Sequence, residues 1–344
     1  MSLSILLPAL TAFATAALLT RRFCDPGSRL HLLDHPNERS LHVRPTPRTG
    51  GVAILAGLTL AVLLWMATNA VSVGLGWLVA GTGLVAVLSF LDDRRSLPVS
   101  GRILGHVLAA GAVVGGGGWQ LSGLTLPTMD IVLPEWLGMT LSVLFLVWMT
   151  NLYNFMDGMD GFAGGMAVFG FGALAVLGGL AGNMPFLSVS LLVAAASAGF
   201  LPLNFPPARI FMGDTGSAAL GLLAGGLCLW GDSAGVFDLW IGLLVFSPFI
   251  VDATLTLLRR MLRGERVWEA HRAHYYQRLV RLGWGHRKTV LWEYALMAAC
   301  ATTAWWAVRQ SPATQWWVLG GWAAAYAVLV SWVSFLERRA HRRA

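Results

Sequence analysis

Polar residues that could bind a ligand or a metal interrupt an apolar part of the chain at residues 151–161. Two amides and two carboxylates recur there at every third position, namely Asn151, Asn154, Asp157 and Asp160. Neighbouring members of this series share a face if the segment is helical. Gly158 and Gly161 favour a change from helix to loop, which lets the backbone approach a ligand. Charged groups bordering apolar segments are costly unless they bind something, so we predict a functional site rather than a solvated connector.

Two further acidic motifs are suited to binding a hard cation. Asp92 and Asp93 are adjacent at the end of an apolar run, and basic residues, among them Arg102, follow them. Adjacent carboxylates repel, which raises the pKa of at least one of them unless a cation lies between them. Asp214 stands on a glycine-rich turn at the start of another apolar run, where it either holds a cation through oxygen or simply caps a helix. We predict an acidic site beside an anion site formed by the arginines, the alternative being a helix end with compensating charges.

Two other segments contain candidates for binding phosphate. Arg48 lies in HVRPTPRTGGVA, where it either clamps a phosphate through two hydrogen bonds or anchors the chain to lipid headgroups. His271 and His274 would share a helix face at i, i+3, and Arg278 follows His274 at i+4. With the adjacent tyrosines, these residues are predicted to hold a phosphorylated, ring-bearing ligand. The alternative is a basic amphipathic helix on the membrane surface.

The composition predicts a polytopic membrane protein. Of the 344 residues, 56% are hydrophobic and only 12% are charged, about half the charged fraction of a soluble protein. Hydropathy predicts an all-α fold in one transmembrane domain with about 11 transmembrane helices. The predicted spans are 3–20, 51–69, 74–91, 103–119, 137–152, 162–181, 186–203, 216–231, 238–258, 289–308 and 316–335. We interpret the first span as a retained helix rather than a signal peptide, because no A-x-A cleavage site follows it.

The distribution of basic residues predicts how the chain is oriented. If the N-terminus is outside, the inside segments are 21–50, 92–102, 153–161, 204–215, 259–288 and 336–344. They contain 23 of the 24 lysines and arginines. Because cytoplasmic loops are rich in these residues, we predict a periplasmic N-terminus and a cytoplasmic C-terminus. The net charge of +7 then reflects topology and contact with anionic lipid, and it requires no nucleic acid.

The acidic candidates gather on that same side, which topology alone does not explain. A shared site there would combine oxygen ligands for a divalent metal with arginines and histidines. Since Mg²⁺ usually completes its shell with water and substrate phosphate, the residues predict phosphoryl chemistry between a soluble phosphate compound and a lipid. Asp252 lies inside an apolar span and should have a partner, which the sequence does not identify.

Four motifs resemble the signature set of the polyprenyl-phosphate N-acetylhexosamine-1-phosphate transferases, glycosyltransferase family 4. They are LDD at 91–93, NLYNFMDGMDG at 151–161, FMGDTGS at 211–217 and HRAH at 271–274. Singly, DD and GD-x-GS are weak signals, but the four motifs together, in an order that matches the family over nearly the whole chain, are a strong one. The resemblance implies a bacterial inner-membrane enzyme whose active site faces the cytoplasm. It would transfer a sugar 1-phosphate from a UDP-N-acetylhexosamine to undecaprenyl phosphate, with Mg²⁺ or possible Mn²⁺, and release UMP.

The resemblance also implies catalytic and metal-binding roles. Asp92 and Asp93 resemble the acidic pair near the lipid phosphate, and one of them is a candidate proton acceptor. Asp214 resembles the metal-binding aspartate, with Asn154 as a further contact to metal or diphosphate. The lipid phosphate would attack the β-phosphorus directly or through a covalent aspartyl intermediate, and we favour direct attack because that phosphate is already a nucleophile.

Substrate binding is assigned to a larger set of residues. Asp160 corresponds to a nucleobase contact, Arg102 to a phosphate contact, and His271 and His274 to contacts with the sugar diphosphate. The complete set of candidates for substrate binding is Asn151, Asp157, Asp160, Arg48, Arg102, His271, His274 and Arg278.

The histidine loop bears on the branch of the family. The peptidoglycan branch has three adjacent histidines where this chain has HRAH. This difference favours the branch that begins O-antigen synthesis with FucNAc, QuiNAc or GlcNAc over a phospho-MurNAc-pentapeptide transferase. An anion transporter with the acids as a proton relay is the alternative from another class, disfavoured because no repeated halves are visible. A homodimer is possible.

Overall fold

The computed structural model describes residues 3–36, 41–42, 44–95, 97–266 and 271–342. The first helices are α1 (Leu3–Phe23), α2 (Gly50–Met66), α3 (Val73–Arg95), α4 (Val99–Gly117), α5 (Glu135–Met156), α6 (Phe162–Leu180) and α7 (Met184–Asn204). They are followed by α8 (Asp214–Ser233), α9 (Leu239–Val245), α10 (Ser247–Leu262), α11 (Tyr275–Leu279), a π-helical turn (Val280–Trp284), α12 (Gly285–Ala307) and α13 (Pro312–His341). Two small antiparallel pairs also form, β1 (Leu33–Asp34) with β2 (Thr46–Pro47) and β3 (Gly123–Leu126) with β4 (Met129–Val132).

Long apolar helices dominate the structure, which confirms the predicted all-α membrane fold. In the described chain, seven helices are long and apolar enough to cross a membrane, and the bent pair α9–α10 makes eight if it counts as one span. Each of the eleven predicted segments contains a helix, but α2, α8 and α12 fall outside that set. Eleven crossings and the sides on which the termini lie therefore stay predictions.

The core is organised around α8, in which every residue from Thr215 to Gly231 is buried. A helix that is apolar on all faces has no side that prefers water, and α2, α3, α5 and α9 all pack against it. Glycines allow backbone contact at two of these crossings. A Cβ on Gly51 of α2 would collide with the backbone of Gly216, and one on Gly221 would meet the carbonyl oxygen of Met149 in α5. The ends of these helices are therefore held close together.

The predicted span 238–258 is interrupted by a sharp bend. Helix α9 ends at Val245, α10 begins at Ser247, and their axes differ by 84°. Pro248, at the start of α10, lacks the N–H that would continue the hydrogen-bond ladder, and the first turn of a helix is where proline costs least. The Ser247 hydroxyl donates instead to the Leu244 carbonyl at 2.7 Å. Because of this bend, α10 runs in a different direction from α9.

Two predicted loops are shorter than expected. Helix α5 continues to Met156, so Asn154 is in its last turn rather than in the loop 153–161. Helix α3 continues to Arg95, so Asp92 and Asp93 are also helical, within the predicted loop 92–102. Both helices extend past their last apolar run because the polar residues that follow are bonded to other elements, which hydropathy does not detect.

Helix α13 presents large apolar side chains at the surface. Trp317 is 82% exposed, Val328 66% and Phe335 57%. The described part of the chain provides nothing to cover them. Such a surface is what hydrocarbon solvates and water does not, so it agrees with α13 as a lipid-facing helix.

Candidate active site

A polar cavity of about 360 Å³ opens where α3 and α5 end and α8 begins. Its lining residues are Asp34, Leu41, His42, Arg48, Asp93, Asp157, Gly158, Met159, Asp160, Asn204, Phe211, Gly213, Asp214, Gln277 and His286. Five aspartates from four separate segments thus meet here, against one arginine. Of the residues predicted from the sequence, the fold brings together Arg48, Asp93, Asp157, Asp160 and Asp214.

Asp214 opens α8 directly after a glycine with a left-handed backbone. Gly213 has φ +76°, and a Cβ there would collide with the carbonyl oxygen of Arg48. Only glycine fits such a position without strain. The Asn154 side chain hydrogen-bonds the Asp214 carboxylate, and its Nδ2 lies 3.0 Å from Ser217 Oγ. The predicted neighbours Asp214 and Asn154 are therefore in contact.

Asp93 joins the end of α3 to the start of α8. Its Oδ2 accepts hydrogen bonds from the Thr215 hydroxyl at 2.8 Å and from the Thr215 N–H at 3.2 Å. Its Oδ1 is 3.7 Å from Arg48 Nη1, and its carbonyl oxygen also accepts from Arg48. The Asp93 side chain is only 6% exposed, so it is a fixed group on the cavity wall.

Asp92 points away from its neighbour. Its Oδ2 accepts from Arg102 Nη1 at 2.9 Å, and its Oδ1 accepts from the Leu97 N–H at 2.6 Å. Both carboxylate oxygens therefore hold the turn between α3 and α4. Asp92 and Asp93, predicted as an acidic pair, therefore bond to different parts of the structure. Consecutive side chains on a helix point about 100° apart.

The carboxylates in the cavity are close enough to affect one another. Burial raises the pKa of Asp157 well above its usual value, and the charges of Asp214 and Asp93 add to this, while a hydrogen bond with the Gly213 backbone opposes it. Repulsion of this kind is relieved by a bound cation. The cavity is thus arranged to favour one.

The donor set fits a hard divalent cation in its chemistry, since it offers carboxylate and amide oxygens. Among the described residues, no group of three His, Cys, Asp or Glu side chains is placed to hold a metal alone. Mg²⁺ often takes one or two carboxylates and completes its shell with water and substrate phosphate. A metal at Asp214 and Asn154 is compatible with this arrangement and stays a prediction.

Arg48 reaches the cavity from the long loop after α1. Its backbone N–H donates to Leu32 O at 2.8 Å, beside the β1–β2 pair, and its Nη1 is 3.8 Å from Asp34 Oδ1. Its Nε is buried without a hydrogen-bond partner among the described residues. Of the two alternatives drawn from the sequence, this position favours a phosphate clamp over an anchor in lipid headgroups.

Asp160 binds two elements on the far wall of the cavity. Its Oδ2 accepts from the Ala208 N–H at 3.0 Å, and its Oδ1 is 3.0 Å from His286 Nδ1. His286, at the start of α12, was not identified from the sequence, because it is not part of any motif or regularly spaced series of polar residues. Asp34 and His42 were also missed, although they lie in the same predicted cytoplasmic loop as Arg48. A nucleobase contact by Asp160 stays a prediction.

The histidine segment differs from the predicted helix. Helix α11 begins only at Tyr275, so His271 and His274 are in irregular backbone, with ring centroids 4.8 Å apart. His274 is 2% exposed and bonds Asp252. Burial, with the charges of His274 and Arg260, lowers the pKa of His271 to about 4. Neither imidazole lines the cavity; Gln277 of α11 does.

Three other predicted substrate residues lie outside the cavity. Arg102 is paired with Asp92. Asn151 donates to Val147 O at 2.7 Å within α5 and hydrogen-bonds His106 of α4. Arg278 pairs with Glu337 of α13. Direct substrate contacts by these residues stay predictions, and in this structure they connect helices.

Comparison with known proteins identifies the family of this chain. The family model for glycosyl transferase family 4 matches residues 74–232, which include Asp93, Asn154, Asp157 and Asp214. A probable undecaprenyl-phosphate N-acetylglucosaminyl 1-phosphate transferase of Bacillus subtilis is 32% identical over 274 residues, covering 78% of this chain and 75% of the relative.

Two more relatives extend the similarity. The decaprenyl-phosphate N-acetylglucosaminephosphotransferase of Mycolicibacterium smegmatis is 30% identical over 342 residues, which cover 90% of this chain and 83% of the relative. The phospho-N-acetylmuramoyl-pentapeptide-transferase of a Geobacillus species is 32% identical over 277 residues, which cover 74% of this chain and 82% of the relative. The chain therefore belongs to glycosyl transferase family 4, the polyprenyl-phosphate N-acetylhexosamine-1-phosphate transferases, and is a membrane transferase rather than a transporter.

Proposed function

We propose that this protein transfers an N-acetylhexosamine 1-phosphate from a UDP-sugar to undecaprenyl phosphate. The products are a lipid-diphosphate sugar and UMP. One observation carries the proposal, the meeting of Asp93, Asp157, Asp214 and Arg48 in one cavity at the end of apolar helices. A lipid-borne phosphate and a water-soluble donor would both reach that position. The names of the relatives, which include undecaprenyl and decaprenyl phosphate, support the same acceptor class.

Arg48 is the residue best suited to hold phosphate. A guanidinium makes two parallel hydrogen bonds to a phosphate oxygen pair, and the Nε of Arg48 has no partner among the described residues. Its contacts to the carboxylates of Asp34 and Asp93 are long, at 3.8 and 3.7 Å. An incoming phosphate would replace weak ion pairs rather than break strong ones.

Asp93 is the proton acceptor that we favour. The Thr215 hydroxyl and N–H fix its Oδ2, and Oδ1 stays on the Arg48 side. If the lipid phosphate arrives singly protonated, Asp93 takes that proton as general base. The phosphate oxygen then forms a bond to the β-phosphorus, and the bond between that phosphorus and the UMP oxygen breaks.

Charge is the main obstacle to this reaction, because an anion attacks a dianion. Mg²⁺ or Mn²⁺, held by Asp214 and Asn154, would neutralise the diphosphate and the leaving UMP. Asp157, whose charged form is disfavoured without a cation nearby, would face the same centre. Direct attack remains favoured over a covalent aspartyl intermediate, since the lipid phosphate is already a nucleophile.

The proposal also covers the orientation of the protein in the membrane and its branch of the family. The basic residues predict that the cavity faces the cytoplasm of a bacterial inner membrane. GlcNAc becomes the preferred sugar of the three considered, because it is the sugar named in the relatives from Bacillus subtilis and Mycolicibacterium smegmatis. The pathway would be O-antigen or another cell-surface polysaccharide.

A phospho-MurNAc-pentapeptide transferase is the second candidate. The Geobacillus relative with that name is 32% identical over 74% of this chain. Against it stands HRAH in place of three adjacent histidines. A sugar panel separates the two functions.

The test is UMP release by purified protein in detergent with undecaprenyl phosphate and Mg²⁺. The donors would be UDP-GlcNAc, UDP-FucNAc, UDP-QuiNAc and UDP-MurNAc-pentapeptide. We expect UMP only when lipid, metal and one N-acetylhexosamine donor are all present, and at least about 100-fold less of it with Asp93→Asn. Turnover of UDP-MurNAc-pentapeptide alone would select the second candidate, and no UMP from folded protein with any donor would refute both.

A further inference from the structure

Six arginines line a second cavity of about 200 Å³, which shares no residue with the catalytic cavity. We call it the arginine cavity, and its lining residues are Thr256, Arg259, Arg260, Arg263, Glu265, Arg272, Ala273, Arg278, Arg281 and Glu337. They come from the end of α10, the histidine segment, α11, the π-helical turn and α13. Gln277 lines the catalytic cavity and its neighbour Arg278 lines this one, so α11 separates the two.

The two carboxylates in the lining are already committed. Arg260 Nε donates to Glu265 Oε2 at 2.8 Å, and Arg278 pairs through two nitrogens with Glu337. Arg259, Arg263 and Arg281 also line the cavity, but they form no ion pair with an acid of the described chain. Unpaired like charges around one space repel, and a bound anion would remove that cost.

One donor in the cavity wall is buried and unused. Arg278 is 6% exposed, its guanidinium stacks on the Tyr275 ring at 4.6 Å, and Glu337 fixes its other side. Its Nη1 nevertheless has no hydrogen-bond partner among the described residues. Buried N–H groups are nearly always paired in native proteins, so this donor is available to a ligand. A fixed, charged donor of this kind suits an oxyanion.

The arginine cavity lies at the edge of a lipid-facing surface. On α10, Leu258 is 44% exposed, Met261 57% and Leu262 85%, within the same turns as Arg259 and Arg263. On α13, Phe335 is 57% exposed, two residues before Glu337. Arginines that border apolar surface in this way meet lipid headgroups, where phosphate is the abundant anion.

We propose that the arginine cavity is a phosphate-binding site separate from the catalytic cavity. The phosphate belongs either to the headgroup of an anionic phospholipid or to a free phosphate anion. This site goes beyond the proposed transfer reaction and does not depend on it, so its test requires no turnover.

The experiment compares ligands and variants by binding. Native mass spectrometry of detergent-purified protein would count bound phosphatidylglycerol against phosphatidylcholine, and thermal unfolding would report stabilisation by each lipid and by inorganic phosphate. Arg259→Gln with Arg263→Gln removes two unpaired charges from the cavity. Arg94→Gln with Arg95→Gln is the matched control, because it removes two exposed arginines from the end of another helix.

We expect wild type and the control to prefer phosphatidylglycerol, and the cavity variant to bind it roughly 10-fold or more weakly. If inorganic phosphate alone stabilises wild type and that effect disappears in the cavity variant, the site holds with free phosphate as its ligand. Equal losses in both variants, or a wild type that neither prefers phosphatidylglycerol nor is stabilised by inorganic phosphate, would overturn the proposal. If the cavity variant does not fold, Arg281→Gln gives the same comparison with a single charge.

Discussion

The Nδ1 of His274 lies 3.1 Å from Oδ1 of Asp252, and both residues are buried. The same carboxylate accepts from the Thr256 hydroxyl at 3.1 Å and from the N–H groups of Tyr275 and Tyr276 at 2.9 and 3.1 Å. One acid within α10 therefore orders the start of α11. His274 is thus the partner that Asp252, an acid in an apolar span, requires. The same contact holds the His274 ring in place.

Asp252→Asn should destabilise the protein, because the amide loses the charge and turns one oxygen into a donor that faces other donors. Hydrogen bonds to a charged group contribute about 1.5–3 kcal/mol each, so we expect a clear drop in the midpoint of thermal unfolding in detergent. Thr256→Val is the control, since it removes only one of the four donors. Equal midpoints for the two variants would contradict the assigned role of the carboxylate.

Asp92 and Asp93 should differ in what their loss affects. Asp93→Asn should lower UMP release at least about 100-fold, as expected for loss of a general base, with little change in thermal stability. Asp92→Asn breaks the contacts to Arg102 and Leu97, so it should lower stability more than turnover. Steady-state rates and unfolding curves on the same preparations would separate these effects. The reverse pattern would mean that Asp92 is the base.

Asp214→Ala should abolish the response to Mg²⁺. Removing a charge that holds the cation costs roughly 100-fold or more in rate, and chelation with EDTA should reduce wild-type turnover equally. Ser197→Ala, whose hydroxyl donates only to Val193 O within α7, is an uncharged control away from the carboxylates. Full activity of Asp214→Ala, or EDTA-resistant turnover, would contradict the metal assignment.

Gly51→Val should be destabilising, because a Cβ at Gly51 would overlap Gly216 of α8. Overpacking a tight contact typically costs about 1–3 kcal/mol, and here it would also shift Arg48 relative to Asp214. Gly83→Val on α3 is the matched control, as a Cβ there meets nothing within 4 Å. Thermal unfolding and UMP release should both fall for the first variant only.

His271 should make stability depend on mildly acidic pH. Burial lowers the pKa of His271 from 6.5 to about 4, so the unfolded chain binds more protons than the folded one between these values. The free energy of unfolding then falls as the pH falls from 6.5 to 4. His271→Asn retains an acceptor for the Ala273 N–H but does not titrate. Its unfolding midpoint should fall less over that range, and an identical slope would show that His271 is not responsible.

The sequence by itself determined the membrane class, the helical segments and the motifs that carry the family. Hydropathy depends only on local composition, and spans of apolar residues have few alternatives in a bilayer. Asp93, Asp157 and Asp214 were recognisable because carboxylates next to glycine and apolar runs are unusual. Pro248 in the sequence indicates a break near Ser247, but nothing in the sequence gives the 84° angle between the two helices.

Which candidates share a site was decided only by the tertiary structure. Asp92, Asn151 and Arg278 have the right residue types, yet their side chains point to other helices, while His286 and Asp34 reach the cavity without any motif. A one-residue step along a helix turns a side chain by about 100°, and spacing in the sequence does not record which neighbour it then meets. The packing around α8, set by Gly51, Gly216 and Gly221, places the helix ends and so selects the residues that face one another.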